Sequence, residues 1–85
     1  MPTIFMYSTQ ACPYCYRAER LLNKKGVQVN KILIDNNPKE ADEMIKRTGR
    51  RTVPQIFIGE YHVGGYDDLV ELDLEGGLEP LLRAV

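Results

Sequence analysis

With 85 residues, 27% of them charged, and a formal net charge of −1, the chain is long enough for a single domain, residues 1–85, and carries no global field to draw it to nucleic acid or to an anionic membrane. No apolar run approaches the ~20 residues that cross a bilayer, and Met1-Pro2-Thr3 followed by Ile4-Phe5-Met6-Tyr7 lacks both the basic region and the longer apolar core of a signal peptide. A reducing, cytoplasmic compartment is the expectation, and there the two cysteines, Cys12 and Cys15, suggest catalysis or metal before a permanent staple.

In chain order, Thr3 to Tyr7 combines β-branched, aromatic and other apolar residues and reads as a buried strand. Ser8 to Ala11 form a loop. Pro13 takes the first helical position, where an N–H would go unpaired anyway. Cys15, Ala18 and Leu22 then share one helical face with Leu21 beside them. Lys24 and Lys25 decorate the last turn, and Gly26 stops it. Val27 to Ile34 is the second strand. Asn37 as N-cap, Pro38 at N1 and Glu40 at N3 make a variant capping box. The helix they open keeps Ala41, Met44, Ile45 and Thr48 at i, i+3, i+4, i+7 spacing and ends at Gly49. Val53-Pro54 begins a third strand, Gln55 to Ile58, and Gly59-Glu60 is a two-residue turn into a fourth, Tyr61 to Val63. After Gly64-Gly65 a helix from about Asp67 to Glu75 turns Leu69 and Leu72 inward. After Gly76-Gly77 a terminal helix runs near Glu79 to Ala84, anchored by Leu78, Leu81 and Leu82. The order β-α-β-α-β-β-α with a trailing helical turn is α/β. Two parallel strands joined by a right-handed crossover gain an antiparallel hairpin, giving a four-stranded mixed sheet of thioredoxin-like topology.

Cys12-Pro13-Tyr14-Cys15 places a C-x-x-C between a strand and a helix, the context in which that spacing points to redox chemistry. Cys12 lies at the helix N-terminus, where unpaired N–H groups and the helix dipole stabilise an anion. Its thiol is therefore expected to ionise below the ordinary thiol value. Cys15, about one turn on, is near enough to attack a mixed disulfide on Cys12, and its apolar face predicts burial. The exposed cysteine attacks; the buried one resolves. A structural bridge is the weaker reading, since so short a loop removes little unfolded-chain entropy. Zinc needs about four ligands, and the chain adds only His62, read as a strand surface residue. A metal or cluster shared between two copies stays open. Lys46, Arg47, Arg50 and Arg51 are open to two readings, cations at a helix C-terminus or ligand contacts.

Cys12-Pro13-Tyr14-Cys15, Thr52-Val53-Pro54 and Gly64-Gly65-Tyr66-Asp67-Asp68-Leu69, in this order and at these separations, resemble the dithiol glutaredoxin family across essentially the whole chain. The stretches Glu43 to Arg47 and Gln55 to Ile58 are similar to small bacterial members. The resemblance implies a cis Val53–Pro54 bond that turns the Val53 N–H and C=O toward Cys12, so that glutathione pairs there as a short added strand. Without the family, Pro54 merely starts an edge strand. It also implies that the helix opening near Asp67 receives the γ-glutamyl α-carboxylate, while Asp68 receives the ammonium. Either aspartate equally suits an N-cap. Arg51 and Tyr14 are the candidates to meet the glycine end, and Thr52, Pro54, Gly65 and Tyr66 complete the binding set. Tyr7 and Tyr16 are left to packing. Two positions depart from the family pattern. Thr9 stands where many members carry lysine, which leaves Arg51 to compensate. Tyr66 stands where cysteine or serine is common, and its ring is expected to narrow the groove or alter which substrates dock.

What the resemblance implies for activity is thiol–disulfide exchange with glutathione as co-substrate and no bound cofactor or metal. The expected partners of this monomer are glutathionylated or disulfide-containing proteins, with glutathione reductase indirectly supplying electrons. One rival is a similarly shaped protein reduced by thioredoxin reductase, against which the charge partners Asp67, Asp68 and Arg51 speak. The other is a dimeric module holding an iron–sulfur cluster or zinc through Cys12 and glutathione. Pro13 speaks against it, because glycine is favoured there in cluster carriers.

Overall fold

A computed structural model describes residues 2–83. β1 (Ile4–Ser8) lies inside a four-stranded sheet of order β2-β1-β3-β4, in which β2 is Val29–Leu33, β3 is Gln55–Ile58 and β4 is Tyr61–Gly64. β1 and β2 run parallel with Ile4 opposite Val29, whereas β3 is antiparallel to β1 with Phe5 opposite Phe57. β4 returns antiparallel along β3 after Gly59-Glu60, and the register shifts between Ile56 and Phe57. The element order and the mixed strand directions are those expected from the sequence.

Period-two alternation sends β1 to both faces of the sheet. Ile4 and Met6 join Ile56 and Ile58 on one face, under α1 (Pro13–Lys24), α3 (Tyr66–Leu74) and α4 (Leu78–Arg83), which contribute Cys15, Ala18, Leu22, Leu69, Leu78 and Leu82. Phe5 and Tyr7 join Phe57 on the other face, where α2 (Pro38–Thr48) presents Met44 and Ile45. Each fully buried side chain of leucine or isoleucine size contributes about 1.5–3 kcal/mol.

α1 ends as its sequence directs. Gly26 adopts φ 87°, and the N–H groups of Gly26 and Val27 donate to the carbonyls of Asn23 and Leu22 at 2.9 and 3.3 Å. These are the two bonds of a Schellman closure, whose usual apolar contact is made by buried Val27 and Leu22. That closure explains one difference from expectation: Val27 is taken up by the helix end, so β2 starts at Val29. Lys25 then ties three helices together, its Nζ lying 2.9 Å from Asp73 and 3.3 Å from Glu79.

Other boundaries also move. β1 spans Ile4 to Ser8, because the Ser8 carbonyl still accepts the Ile34 N–H at 2.9 Å. Asn37 and Pro38 do open α2, yet the Asn37 side chain makes no capping bond, so the expected capping box is absent. α3 begins at Tyr66 with Gly65 as its N-cap, one residue before Asp67. Tyr16, expected to pack, is 61% exposed, since it points away from the Cys15–Ala18–Leu22 face. α4 begins at Leu78, and its expected end at Ala84 lies outside the described residues.

Candidate active site

The loop leaving β1 is pinned where the Gln10 N–H donates to Asp35 Oδ2 at 3.0 Å. Cys12 follows as the N-cap of α1, with extended backbone (φ −128°, ψ 100°) and Pro13 directly after it. Its sulfur accepts the Cys15 N–H at 3.1 Å, and its carbonyl accepts the Tyr16 N–H at 3.1 Å. The two sulfurs are bonded to each other, with Cα atoms 5.2 Å apart, so the pair is in its oxidised form. Cys15 is 3% exposed inside the aliphatic core, whereas Cys12 is only half-buried at its edge. Both cysteines line a cleft of about 110 Å³ with Thr9, Gln10, Glu19 and Lys31. Lys31 supplies a cation there, 3.3 Å from Glu19.

A larger groove of about 240 Å³ is lined by Tyr14, the residue before Cys15. Thr52, Val53 and Pro54 form one wall just ahead of β3, and the Val53–Pro54 bond is cis. Gly65, Tyr66, Asp67 and Asp68 form the opposite wall at the start of α3, and Arg50 completes the lining. The Tyr14 and Tyr66 rings approach to 5.9 Å between centroids, narrowing the groove on that side.

Charge is arranged in this groove by the opening of α3. The first intrahelical bond runs from the Leu69 N–H to the Gly65 carbonyl at 3.0 Å. The N–H groups of Tyr66, Asp67 and Asp68 therefore precede it, at the positive end of the helix. Asp68 reaches back from N3, and its Oδ2 accepts the Gly65 N–H at 2.8 Å and Arg50 Nη1 at 2.9 Å. The Arg50 guanidinium, then the Gly65 N–H, hold the Asp68 carboxyl below its ordinary value. Gly64 makes this fold-back feasible: its φ is 114°, and a Cβ there would collide with the Asp68 carboxylate. Asp68 is thus the N3 half of a cap and a wall of the groove at once.

Behind the first wall, Gln55 is fully buried at the start of β3. Its Nε2 donates to the Thr52 carbonyl at 3.0 Å, and its Oε1 meets His62 Nε2 at 2.8 Å. With the amide nitrogen committed to Thr52, the oxygen accepts, so His62 carries its proton on Nε2. The His62 ring stacks on Phe57 at 4.8 Å. Burial, then repulsion from Arg50, pushes the imidazole below its ordinary value. His62 is therefore a half-buried prop for the groove wall, where the sequence suggested a strand surface residue.

Of the residues singled out from sequence, Tyr14, Thr52, Val53, Pro54, Gly65, Tyr66, Asp67 and Asp68 surround one groove. Cys12 and Cys15 line the neighbouring cleft, with Tyr14 between them in the chain. Arg51 is exposed and does not line the groove, whereas its neighbour Arg50 does. Sequence reasoning left Arg50 open between a helix-end cation and a ligand contact without placing it in this groove, and passed over Gln55 as a support of the wall. A lone polar residue opening the run Gln55-Ile56-Phe57-Ile58 is the signal that points to Gln55. Among the described residues no cluster of three or more His, Cys, Asp or Glu side chains is placed to hold a metal ion, and no helix is long and apolar enough to cross a membrane.

Residues 4–63 match the family profile described as Glutaredoxin. The chain is 53% identical to Glutaredoxin 3 of Escherichia coli over 83 residues, covering 98% of this chain and 100% of that one. It is 49% identical to a glutaredoxin of Pseudomonas aeruginosa over 84 residues, 99% of this chain and 100% of the other. Among solved structures, the buckwheat glutaredoxin–glutathione complex superposes with a TM-score of 0.87 at 32% identity, over 95% of this chain and 76% of that chain. Glutaredoxin from Brucella melitensis does so with a TM-score of 0.85 at 48% identity, over 98% and 90%. The mixed sheet and its helices have the thioredoxin-like fold of these neighbours.

Proposed function

The chain belongs to the glutaredoxin family, and from that premise we propose that it is a cytoplasmic, monomeric, single-domain thiol–disulfide oxidoreductase that uses glutathione to reduce protein–glutathione mixed disulfides and protein disulfides. The observation that carries this reading is the groove beside the bonded cysteines, whose Asp68 carboxylate, Arg50 and α3 N–H groups offer partners for both charges of a γ-glutamyl head group. That a buckwheat relative forms a complex with glutathione supports it further. In this reading the α-carboxylate docks on the N–H groups of Asp67 and Asp68, and the ammonium on the Asp68 side chain. Val53 pairs with the cysteinyl backbone of the tripeptide as an added strand, flanked by Thr52, Pro54 and Gly65. Tyr14 packs on the glycine end, and the exposed Arg51, next in the chain to Thr52, meets its carboxylate. Tyr66 narrows the entrance. No bound cofactor or metal enters the cycle.

The reduced enzyme attacks through Cys12. Its thiolate, stabilised by the N–H of Cys15 and the α1 dipole, displaces the protein sulfur from a protein–glutathione disulfide. A Cys12–glutathione disulfide forms, and the protein leaves as a thiolate that takes a proton from water. A second glutathione thiolate attacks that adduct, giving glutathione disulfide and regenerating the Cys12 thiolate. With a protein disulfide, Cys12 forms a mixed disulfide and Cys15 displaces the protein, leaving the oxidised pair described here. Two glutathiones then reduce it, and glutathione reductase recycles their disulfide at the expense of NADPH.

The test is NADPH oxidation in the presence of glutathione, glutathione reductase and hydroxyethyl disulfide. Turnover is expected, and Asp68→Asn should raise the glutathione concentration for half-maximal rate about tenfold, the loss of one charge-assisted contact. Turnover with thioredoxin reductase and none with glutathione would overturn the assignment.

A further inference from the structure

α1 carries a second pattern that glutathione chemistry does not use. Arg17, Arg20 and Lys24 recur at i, i+3 and i+7 on the face turned away from Cys15, Ala18 and Leu22, and all three are exposed. With Leu21 and Tyr66 they line a groove of about 210 Å³. Tyr66 belongs to both this groove and the one proposed for glutathione, so the two share a wall. Among the described residues none of the three cations pairs with a carboxylate, although the adjacent Lys25 pairs with Asp73 and Glu79. Two of them are held in place by aromatic rings: the Arg17 guanidinium lies 5.4 Å from the Tyr14 ring centre and that of Arg20 lies 5.8 Å from Tyr16. Such stacking orders the cations and leaves their edge N–H groups free to donate.

On this basis, and resting on the redox function proposed above, we propose that the Arg17–Arg20–Lys24 groove docks an acidic segment of the protein whose disulfide Cys12 attacks. The occupant is fixed by charge complementarity and by continuity. Three unneutralised cations in a chain of net charge −1 select an anionic partner, and the shared Tyr66 wall joins it to the groove proposed for the glutathione half of the same mixed disulfide. At ~1.5 Å per residue Lys24 lies roughly 18 Å along the helix from Cys12. An extended chain at ~3.3 Å per residue covers that distance in about 5–6 residues. The preferred substrate therefore carries Asp or Glu within about 2–6 positions of its reactive cysteine.

Two glutathionylated peptides test this, alike except that the positions flanking the cysteine are Glu in one and Lys in the other, each reduced by the full-length protein with glutathione and glutathione reductase. The wild type should favour the Glu peptide in kcat/KM by about tenfold, a preference that fades as salt is raised. Arg20→Glu with Lys24→Glu should reverse it, and Arg20→Gln with Lys24→Gln, which adds no negative charge at the helix end, should abolish it. Arg17 is left intact because it rests on Tyr14. Neither double variant should alter turnover of hydroxyethyl disulfide, which is too small to reach the groove; failure of that reaction in the wild type would instead strike the proposed function. Equal kcat/KM for both peptides in the wild type would overturn the docking proposal. So would a preference that survives the double variants, or a groove that proves by sedimentation to bind a second copy of the chain or by titration to bind an oligonucleotide, without peptide discrimination.

Discussion

On one face of the sheet Ile4, Met6, Ile56 and Ile58 meet three helices, and the residues that fill the space are almost all aliphatic and sealed from water. On the other face Phe5, Tyr7 and Phe57 meet α2 alone, and apolar cover runs out. What completes it is polar. The Arg47 guanidinium lies 4.2 Å from the Phe57 ring centre and donates to the Tyr7 hydroxyl at 3.1 Å, and His62 stacks on the same Phe57 ring. The same strands thus support one layer held by buried area and another held partly by charge and hydrogen bonding. Val53 packs against both layers, so the wall of the candidate groove stands on the border between them.

The largest effect separates the sealed face from its edge. Cys15 is inside the aliphatic layer and Cys12 at its rim, so Cys12→Ser should lower every disulfide reduction by about 10³-fold or more. Cys15→Ser should keep turnover of a small glutathione mixed disulfide and lose only protein-disulfide reduction. Equal loss in both variants would contradict the division of roles. Next comes packing: Leu22→Ala, in the layer closed by three helices, should cost about 3–4 kcal/mol in urea unfolding, and Met44→Ala, under one helix that can settle inward, about 2 kcal/mol. Equal costs would mean that the second face is sealed as tightly as the first. Arg47→Ala removes a ring contact and the partner of a buried hydroxyl, so a loss of about 1–2 kcal/mol is expected, partly recovered by Arg47→Lys.

The smallest effect is the dependence on pH. Burial favours neutral His62 in the folded state, so the unfolded chain binds the extra proton. Stability from this source is complete above the ordinary histidine value of 6.5 and declines as pH falls through it toward the lower folded value. His62→Gln, which keeps a donor for Gln55, should flatten the melting temperature between about pH 7 and 5. The Asp68 contribution has the same sign at lower pH: it is present above the ordinary carboxyl value of 3.8 and lost as the group protonates below it. An unchanged slope in the His62 variant would remove the histidine from the account of the second face.

Much of this was legible in the chain. Helical spacing placed Cys15, Ala18 and Leu22 in the core, and apolar runs bounded by turn residues gave the order of elements. The site was legible where a motif spans consecutive residues, as in Cys12 to Cys15 and Gly64 to Asp68. It was not legible where the phase of a short extended segment decides which side chain faces in. Arg50 and Arg51 are neighbours with the same charge, and after Gly49 leaves α2 at φ 72° no apolar pattern says which one meets Asp68. Gly65 as N-cap escaped for a related reason: Asp67 and Asp68 are better N-cap residues by type, but Asp68 reaches the cap from N3. His62 was obscured because its partners, Gln55 and Phe57, lie on another strand.

The shift of register between Ile56 and Phe57 bears on how the open borders of the sheet resist pairing with other chains. An enzyme that repeatedly meets loosened, extended polypeptides risks recruiting them onto the open borders of its sheet. Here one border, β4, is four residues long and distorted by that irregularity, and the other, β2, displays Asn30 and Lys31 to solvent. Short, bent or charged borders are poor templates for a foreign strand. Under the proposed function, this leaves substrate chains to engage the cysteine end of the molecule, where each contact ends as a sulfur–sulfur bond is exchanged.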